Sequence, residues 1–240
     1  MLSIIKLQHN IEMRKTDSHS AKTHIPSKQI FNILLNFRNV YIILYLFFSY
    51  ILLRIILIYI PYNTDVGFLI IKQKEIQIPV YKIAFFIHVY TSMLVMPAGL
   101  TQFSSYILKK HRLTHSISGW IYATVVVFIS GPAGFIMALY AEGGALSRIS
   151  FSILAVLWIL FTAYAIIRIK KGDVKQHRAF LIRSFALTLS AITLREWKYI
   201  LALLFDPRPN DLYMIIAWLG WVPNLLIAEY IIRRKLKFIT

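Results

Sequence analysis

Apolar stretches of about 20 residues recur along this chain, each long enough to cross about 30 Å of hydrocarbon as an α-helix rising 1.5 Å per residue. Six fit, at roughly 40–60, 81–107, 118–140, 149–168, 178–205 and 212–232. Only 15% of the residues are charged, against about 25% in an ordinary soluble domain, so there is too little polar surface to cover a water-exposed globule. The expected fold class is all-α, a polytopic transmembrane helix bundle. Its spans occupy 40–232 and leave no room for a separate soluble domain. A basic tail (1–39), partly disordered, precedes them, and a basic C-terminus (233–240) comes after.

Lys and Arg in the loops orient such a bundle. The tail carries Lys6, Arg14, Lys15, Lys22, Lys28 and Arg38. The second loop carries Lys109, Lys110 and Arg112, and the fourth carries Arg168, Lys170, Lys171, Lys175 and Arg178. The C-terminus carries Arg233, Arg234, Lys235 and Lys237. The other three loops hold only Lys72, Lys74, Arg148 and Arg208. This alternation places both termini in the cytoplasm, and a missed span would break it. The net charge of +17 therefore reads as membrane topology and not as a nucleic-acid surface. The first 27 residues lack the apolar core and small-residue cleavage site of a secretory signal. Met13 is an alternative start. The expected location is the bacterial inner membrane, multi-pass, with lipids around the spans.

Turn signals punctuate the spans at Pro61, Gly143-Gly144, Gly172 and Asp206-Pro207-Arg208-Pro209-Asn210. Asp173 to Gln176 reads as a capping box that starts the fifth span. Pro97 should kink the second span and Pro223 the sixth. The second–third and fourth–fifth spans form hairpins alike in a Lys-Lys loop followed by a histidine, His115 or His177. Chance similarity of basic loops outweighs a true repeat as the explanation.

Polar groups inside spans are costly and face the bundle interior. In the fifth span His177, Leu181, Ser184, Thr188, Ala191 and Arg195 follow spacings of 4, 3, 4, 3 and 4 on one stripe. His88, Ser92, Val95, Gly99, Gln102 and Tyr106 repeat it in the second span. His115, Gly119, Tyr122 and Val126 begin it in the third. Two polar layers result. His88, Arg195, Glu196 and Arg54 lie toward the outside; Gln102, His115, His177, Arg183, Asn224 and Glu229 lie toward the cytoplasm. Each has a bland counterpart. Arg183 and Lys198 snorkel to the interface, Glu229 pairs with a neighbouring Arg, and His111, His115 and His177 are interfacial. Trp120, Trp158, Trp218 and Trp221 are packing residues or anchors.

The run from His177-Arg178-Ala179-Phe180 through Arg183-Ser184-Phe185-Ala186-Leu187-Thr188 to Thr193-Leu194-Arg195 resembles a bacterial membrane-protein family, domain-of-unknown-function family 2306. So does Trp221-Val222-Pro223-Asn224-Leu225-Leu226 with Ala228-Glu229. His88, Pro97 to Gly99 with Gln102-Phe103, His115 through Gly119 to Tyr122, and Gly172-Asp173 fall in the family's order. The resemblance covers about 40–232. It implies that His88, Gln102, His115, His177, Arg183, Arg195, Asn224 and Glu229 belong to a family pattern. Ser116 departs from it, since the family carries Arg directly after that histidine; Arg112 is the substitute if an anion is bound there. The resemblance implies no reaction.

Three functions compete. The first is an accessory subunit that packs against a membrane-protein partner or a second copy. The second is a transporter or binder of a small anion or lipid headgroup through Arg195, His88, His177 and Arg183, since guanidinium matches carboxylate and phosphate. The third is a redox protein holding haem b between His115 and His177. The absence of cysteine removes disulfides, thiolate zinc, iron–sulfur clusters and covalent haem. Without HExxH, a nucleophile elbow or paired carboxylates on one face, a hydrolase is disfavoured.

Overall fold

The computed structural model describes residues 37–205 and 208–237, and no strand occurs among them. The sequence expectations for 1–36 and 238–240, and the Asp206-Pro207 part of the last turn, lie outside these residues. The chain divides into two units, Met1–Phe47 and Phe48–Thr240. Helix α1, Phe37–Leu57, crosses that division, and every later element belongs to the second unit.

Helix α2 runs Pro79–Gln102 with a proline in its first turn, where its missing N–H is not needed. It continues through Pro97. It ends earlier than the 81–107 expected, because Ser104 caps a separate short helix, Ser105–Lys110, by accepting from the Ile107 N–H (3.3 Å). Tyr106 thereby leaves the α2 stripe. Helix α3 spans Arg112–Leu139, beginning a turn and a half before the expected start. Its middle, Val125–Ser130, widens into a π-turn just ahead of Gly131-Pro132. Pro132 has no N–H to offer the preceding turn, and the π-turn absorbs that defect. Gly143 adopts φ 83°, which a glycine accepts without strain, and leads into α4, Gly144–Lys170. Asp173 then caps α5, Val174–Thr188, by accepting from the Gln176 N–H (3.0 Å).

The fifth apolar run is not one helix. It breaks at Leu189, and α6, Ser190–Phe205, comes next. The single stripe from His177 to Arg195 therefore ends at Thr188, and Arg195 belongs to a second segment. The sixth run also divides, into α7, Pro209–Leu219, and α8, Val222–Lys237. Pro223 explains the second break, since it cannot donate to the Leu219 carbonyl. No proline or glycine explains the first; the cause is tertiary. The Asn224 side-chain amide donates to the Ala186 carbonyl of α5 (3.3 Å), the Thr193 hydroxyl of α6 (2.9 Å) and the Gly220 carbonyl after α7 (3.3 Å). The Thr193 hydroxyl donates in turn to Gly220 (2.5 Å). One asparagine thus ties both interruptions together.

Helix α2 packs along α3, α3 along α4, and α4 along α5; α7 lies on α4, α8 on α5, and α6 on α7. Among the described residues, four segments are long and apolar enough to cross a membrane: Pro79–Gln102, Arg112–Leu139, Gly144–Lys170 and Asn210–Arg234. Burial is inverted relative to a soluble fold. Ser130, Ser147, Ser150, Thr162 and Ser184 are at most 1% exposed, while Leu203, Phe128 and Leu113 are 87%, 75% and 74% exposed. Only a surrounding hydrocarbon phase makes that arrangement favourable, with small and polar side chains mediating helix contact.

Residues 58–78 form a cap over one end of the bundle. Leu69, Ile76 and Tyr59 pack there against Tyr81, Phe85 and Phe86 of α2. The Tyr59 hydroxyl accepts from the Phe68 N–H (2.9 Å), and Gly67 turns the chain beneath that ring with φ 57°. Lys72, a loop cation by sequence, is only 1% exposed. It pairs with Glu142 (2.5 Å) and Glu75 (3.5 Å) and donates to the Tyr140 carbonyl (2.5 Å). Lys109, Lys110, Arg112, Lys170 and Lys171 make the opposite end of the bundle its basic end.

Candidate functional site

His88 stands about 14 Å along α2 from Pro79 at the helical rise, near mid-span. Its Nδ1–H donates to the Ser130 carbonyl in the π-turn of α3 (2.8 Å). Gly134 makes that approach possible, because a Cβ there would stand 2.9 Å from Nδ1. The tether fixes the tautomer: Nδ1 carries the proton and Nε2 keeps a bare lone pair. Ser130 and Gly134 were missed by sequence reasoning, and the Gly-Pro that closes the π-turn was their only signal.

Arg195 lies about 15 Å along α6 from Phe205. It donates to the Ala191 carbonyl one turn back. No carboxylate among the described residues comes within ion-pairing distance of it, so most of its five donors remain available. His88, Tyr59, Tyr199 and Tyr213 lie within its electrostatic range. Tyr213 also senses Glu142, the partner of Lys72, and its ring meets Phe68 of the cap (6.5 Å). Groups with hydroxyls and charges therefore run from the cap toward Arg195. Arg54 approaches the Tyr50 hydroxyl on an exposed face (3.4 Å).

The layer toward the basic end separates into four parts. Arg183 and Glu229 close on each other through two hydrogen bonds, Nε to Oε1 and Nη2 to Oε2 (2.9 Å), with the guanidinium against the Phe180 ring (5.2 Å). This pair joins α5 to α8 and satisfies both charges. Asn224 is the bracket of the two helix breaks. Gln102 donates to the His115 carbonyl (3.1 Å), the Ser118 hydroxyl (2.8 Å) and the Thr101 hydroxyl (3.1 Å), holding the end of α2 on the start of α3. Gly119 leaves the space that its amide fills.

His115 and His177 form the fourth part. The His177 Nδ1–H donates to the Ala165 carbonyl of α4 (2.8 Å). His115 Nδ1 is buried without a hydrogen-bond partner. The two rings are electrostatic neighbours. No group of three or more metal-ligating His, Cys, Asp or Glu side chains occurs among the described residues.

Between the two layers lies a buried hydroxyl network that the stripes only partly foreshadowed. Tyr122 of α3 meets Ser184 (2.7 Å) and Thr188 (2.8 Å) of α5. Thr162 of α4 meets Ser184 (2.7 Å) and donates to the Trp158 carbonyl (2.7 Å). The Trp158 indole N–H donates to Thr188 (3.0 Å). Every proton has an acceptor, so this is a closed structural network. Trp221 likewise donates to Ser150 (3.0 Å), which donates to the Ala217 carbonyl (2.7 Å). Trp158 and Trp221 are thus packing residues with a hydrogen-bond role.

A family model described as a predicted membrane protein (DUF2306) matches residues 85–232, the stretch that contains His88, Arg195, the Arg183–Glu229 pair and the buried hydroxyl network. No curated protein and no solved structure matches the chain.

Proposed function

The chain belongs to the DUF2306 family of predicted membrane proteins, and from that premise we propose that it binds a small oxyanion inside its helix bundle at Arg195. The observation that carries this reading is a guanidinium without a carboxylate partner among the described residues. Arg183 has Glu229 and Lys72 has two glutamates, but Arg195 sits at membrane depth with only a backbone carbonyl and neutral neighbours. An unpaired cation there costs several kcal/mol unless something anionic compensates it. A carboxylate or phosphate accepts two parallel guanidinium hydrogen bonds and supplies that compensation.

His88 refines the ligand. Its proton is committed to Ser130, so Nε2 accepts and does not donate. A ligand with both an anionic oxygen and a hydroxyl, such as hydrogen phosphate, hydrogen carbonate or a hydroxycarboxylate, suits the pair better than a halide. The headgroup of a phosphomonoester lipid offers the same chemistry. The interrupted α5–α6 and α7–α8 segments favour the same reading, since binding sites in membrane bundles collect at broken helices.

In this reading the protein crosses the bacterial inner membrane six times, with α5–α6 and α7–α8 as the fifth and sixth spans. Both termini and the basic end face the cytoplasm, and the cap faces outward. Charge alternation supports that orientation. The test is thermal unfolding of the detergent-purified chain with inorganic phosphate, bicarbonate, lactate or chloride, and separately with short-chain phosphatidic acid. At one hundred times Kd the right anion adds about 2.7 kcal/mol of stability. Arg195→Ala should remove the shift and Arg195→Lys should retain part of it. No shift with any oxyanion or phosphatidic acid, or an equal shift in Arg195→Ala, refutes the proposal.

A further inference from the structure

Helix α3 parts from α4 toward the basic end. Its later half, residues 125–139, packs along α4, whereas its first half, Arg112–Thr124, packs along α2 and meets α4 only sparsely. A contact bridges the two helices there. The Lys170 ammonium, in the last turn of α4, stands over the Trp120 ring of α3 (5.4 Å). Both side chains are exposed. Ile117 and Ile121 of α3, and Tyr164 and Ile167 of α4, are exposed as well, so apolar surface leads toward a cation.

Charge at this end does not balance. Asp173 faces Arg168 (3.8 Å), and Glu229 is closed on Arg183. No other described carboxylate lies at this end. Lys109, Lys110, Arg112, Lys170, Lys171 and Arg178 therefore have no ion-pair partner among the described residues. Two further cations at this end lean on exposed aromatic rings, Lys110 on Tyr106 (5.3 Å) and Arg234 on Tyr230 (4.8 Å). Those two contacts are local, four residues apart on one helix. Only Lys170–Trp120 joins two separate long helices.

We propose that the flank of α3 and α4 at the basic end, centred on Lys170 and Trp120, binds a phospholipid whose headgroup carries net negative charge. Charge complementarity selects the headgroup. The ring covers one side of the ammonium, and its N–H groups remain free to donate to a phosphate oxygen. Basic surface between spans suits anionic headgroups, and an indole suits the depth at which headgroup meets acyl chain. A zwitterionic lipid brings a second cation to a place already crowded with them. A soluble anion offers nothing to the exposed apolar side chains, whereas acyl chains cover them.

The test uses the full chain reconstituted in phosphatidylcholine vesicles with increasing phosphatidylglycerol, bromine being carried on the acyl chains of one lipid or the other. Bromine quenches an indole that it touches. Trp120 is 52% exposed while Trp158 and Trp221 are buried, and the share of quenching absent from Trp120→Phe belongs to Trp120. At that position phosphatidylglycerol should be favoured over phosphatidylcholine by about fivefold or more, the weight of one lysine near an anionic surface. Lys170→Gln should lower the preference by about fivefold. Arg234→Gln, exposed at the same end but on α8, should leave it unchanged. Monodispersity by size exclusion before reconstitution confirms that each variant is folded. No preference in wild type, or an undiminished preference in Lys170→Gln, overturns the proposal. An equal loss in Arg234→Gln overturns it too, since that marks diffuse attraction without a site. This preference is read at Trp120 and the oxyanion response at Arg195, so the failure of one leaves the other standing.

Discussion

Replacing Thr188 by valine keeps shape and removes one oxygen from the buried network, and the contacts of that oxygen set the cost. Thr188 Oγ1 is the acceptor for the Trp158 indole N–H (3.0 Å) and also contacts the Tyr122 hydroxyl (2.8 Å). Tyr122 keeps Ser184 (2.7 Å) when Thr188 changes. The indole N–H loses the one acceptor that meets it at hydrogen-bond geometry among the described residues. Stranding a buried donor costs about 1–3 kcal/mol. Tyr122→Phe is the matched comparison. It also removes one hydroxyl, yet Ser184 retains Thr162 and Thr188 retains both Trp158 and the Ser184 carbonyl (3.2 Å). No donor is orphaned, so the cost should stay near the ~0.6 kcal/mol average for hydrogen bonds in membrane bundles. Thr188→Val should therefore destabilise about two to three times as much as Tyr122→Phe. Equilibrium unfolding in mixed micelles with increasing SDS, followed by tryptophan fluorescence and circular dichroism, measures both. Equal or reversed costs would refute the assignment of the indole bond as the vulnerable member.

Glu229→Ala should cost about 2 kcal/mol, below the range for fully buried pairs because nearly a third of the Glu229 side chain is accessible; Glu229→Ala/Arg183→Leu should recover part of it in the same unfolding assay. Gly134→Val should push His88 off the Ser130 carbonyl, lowering thermal stability by about 1–3 kcal/mol and weakening the oxyanion response, whereas Gly144→Ala, which meets no neighbour, should fail only through its positive φ. Lys72→Ala removes the three tethers of the cap to Glu75, Glu142 and the Tyr140 carbonyl, and limited proteolysis should then cut within 58–78 faster than in wild type while the bundle resists. Unchanged cleavage would mean that the apolar packing of Leu69 and Ile76 holds the cap by itself.

Much of the candidate site could be read before any tertiary contact was known. His88, Arg195, His115, His177, Gln102, Arg183, Asn224 and Glu229 stood out because a polar side chain in an apolar run has few places to go. Their roles did not stand out. Arg183 and Glu229 are 46 residues apart and nothing local says they meet. Asn224 looked like a site residue and is a bracket between backbone breaks. Lys72 looked like a solvated loop cation, and its burial depends on Glu142 arriving from the α3–α4 turn. Ser130 and Gly134 carry no chemistry in isolation and matter only because His88 docks on them.

Hydropathy and helical period by themselves determined that this chain is a bundle of apolar helices with a small, polar interior. Those are local properties: a backbone in hydrocarbon satisfies its hydrogen bonds within each helix, and the periodic pattern marks the interior face. Tertiary structure alone decided that the fifth run divides at Leu189. It also decided which cation found a carboxylate and which did not. Ion pairing and break stabilisation depend on side chains from different helices meeting at one depth, and spacing along a single helix carries no information about that.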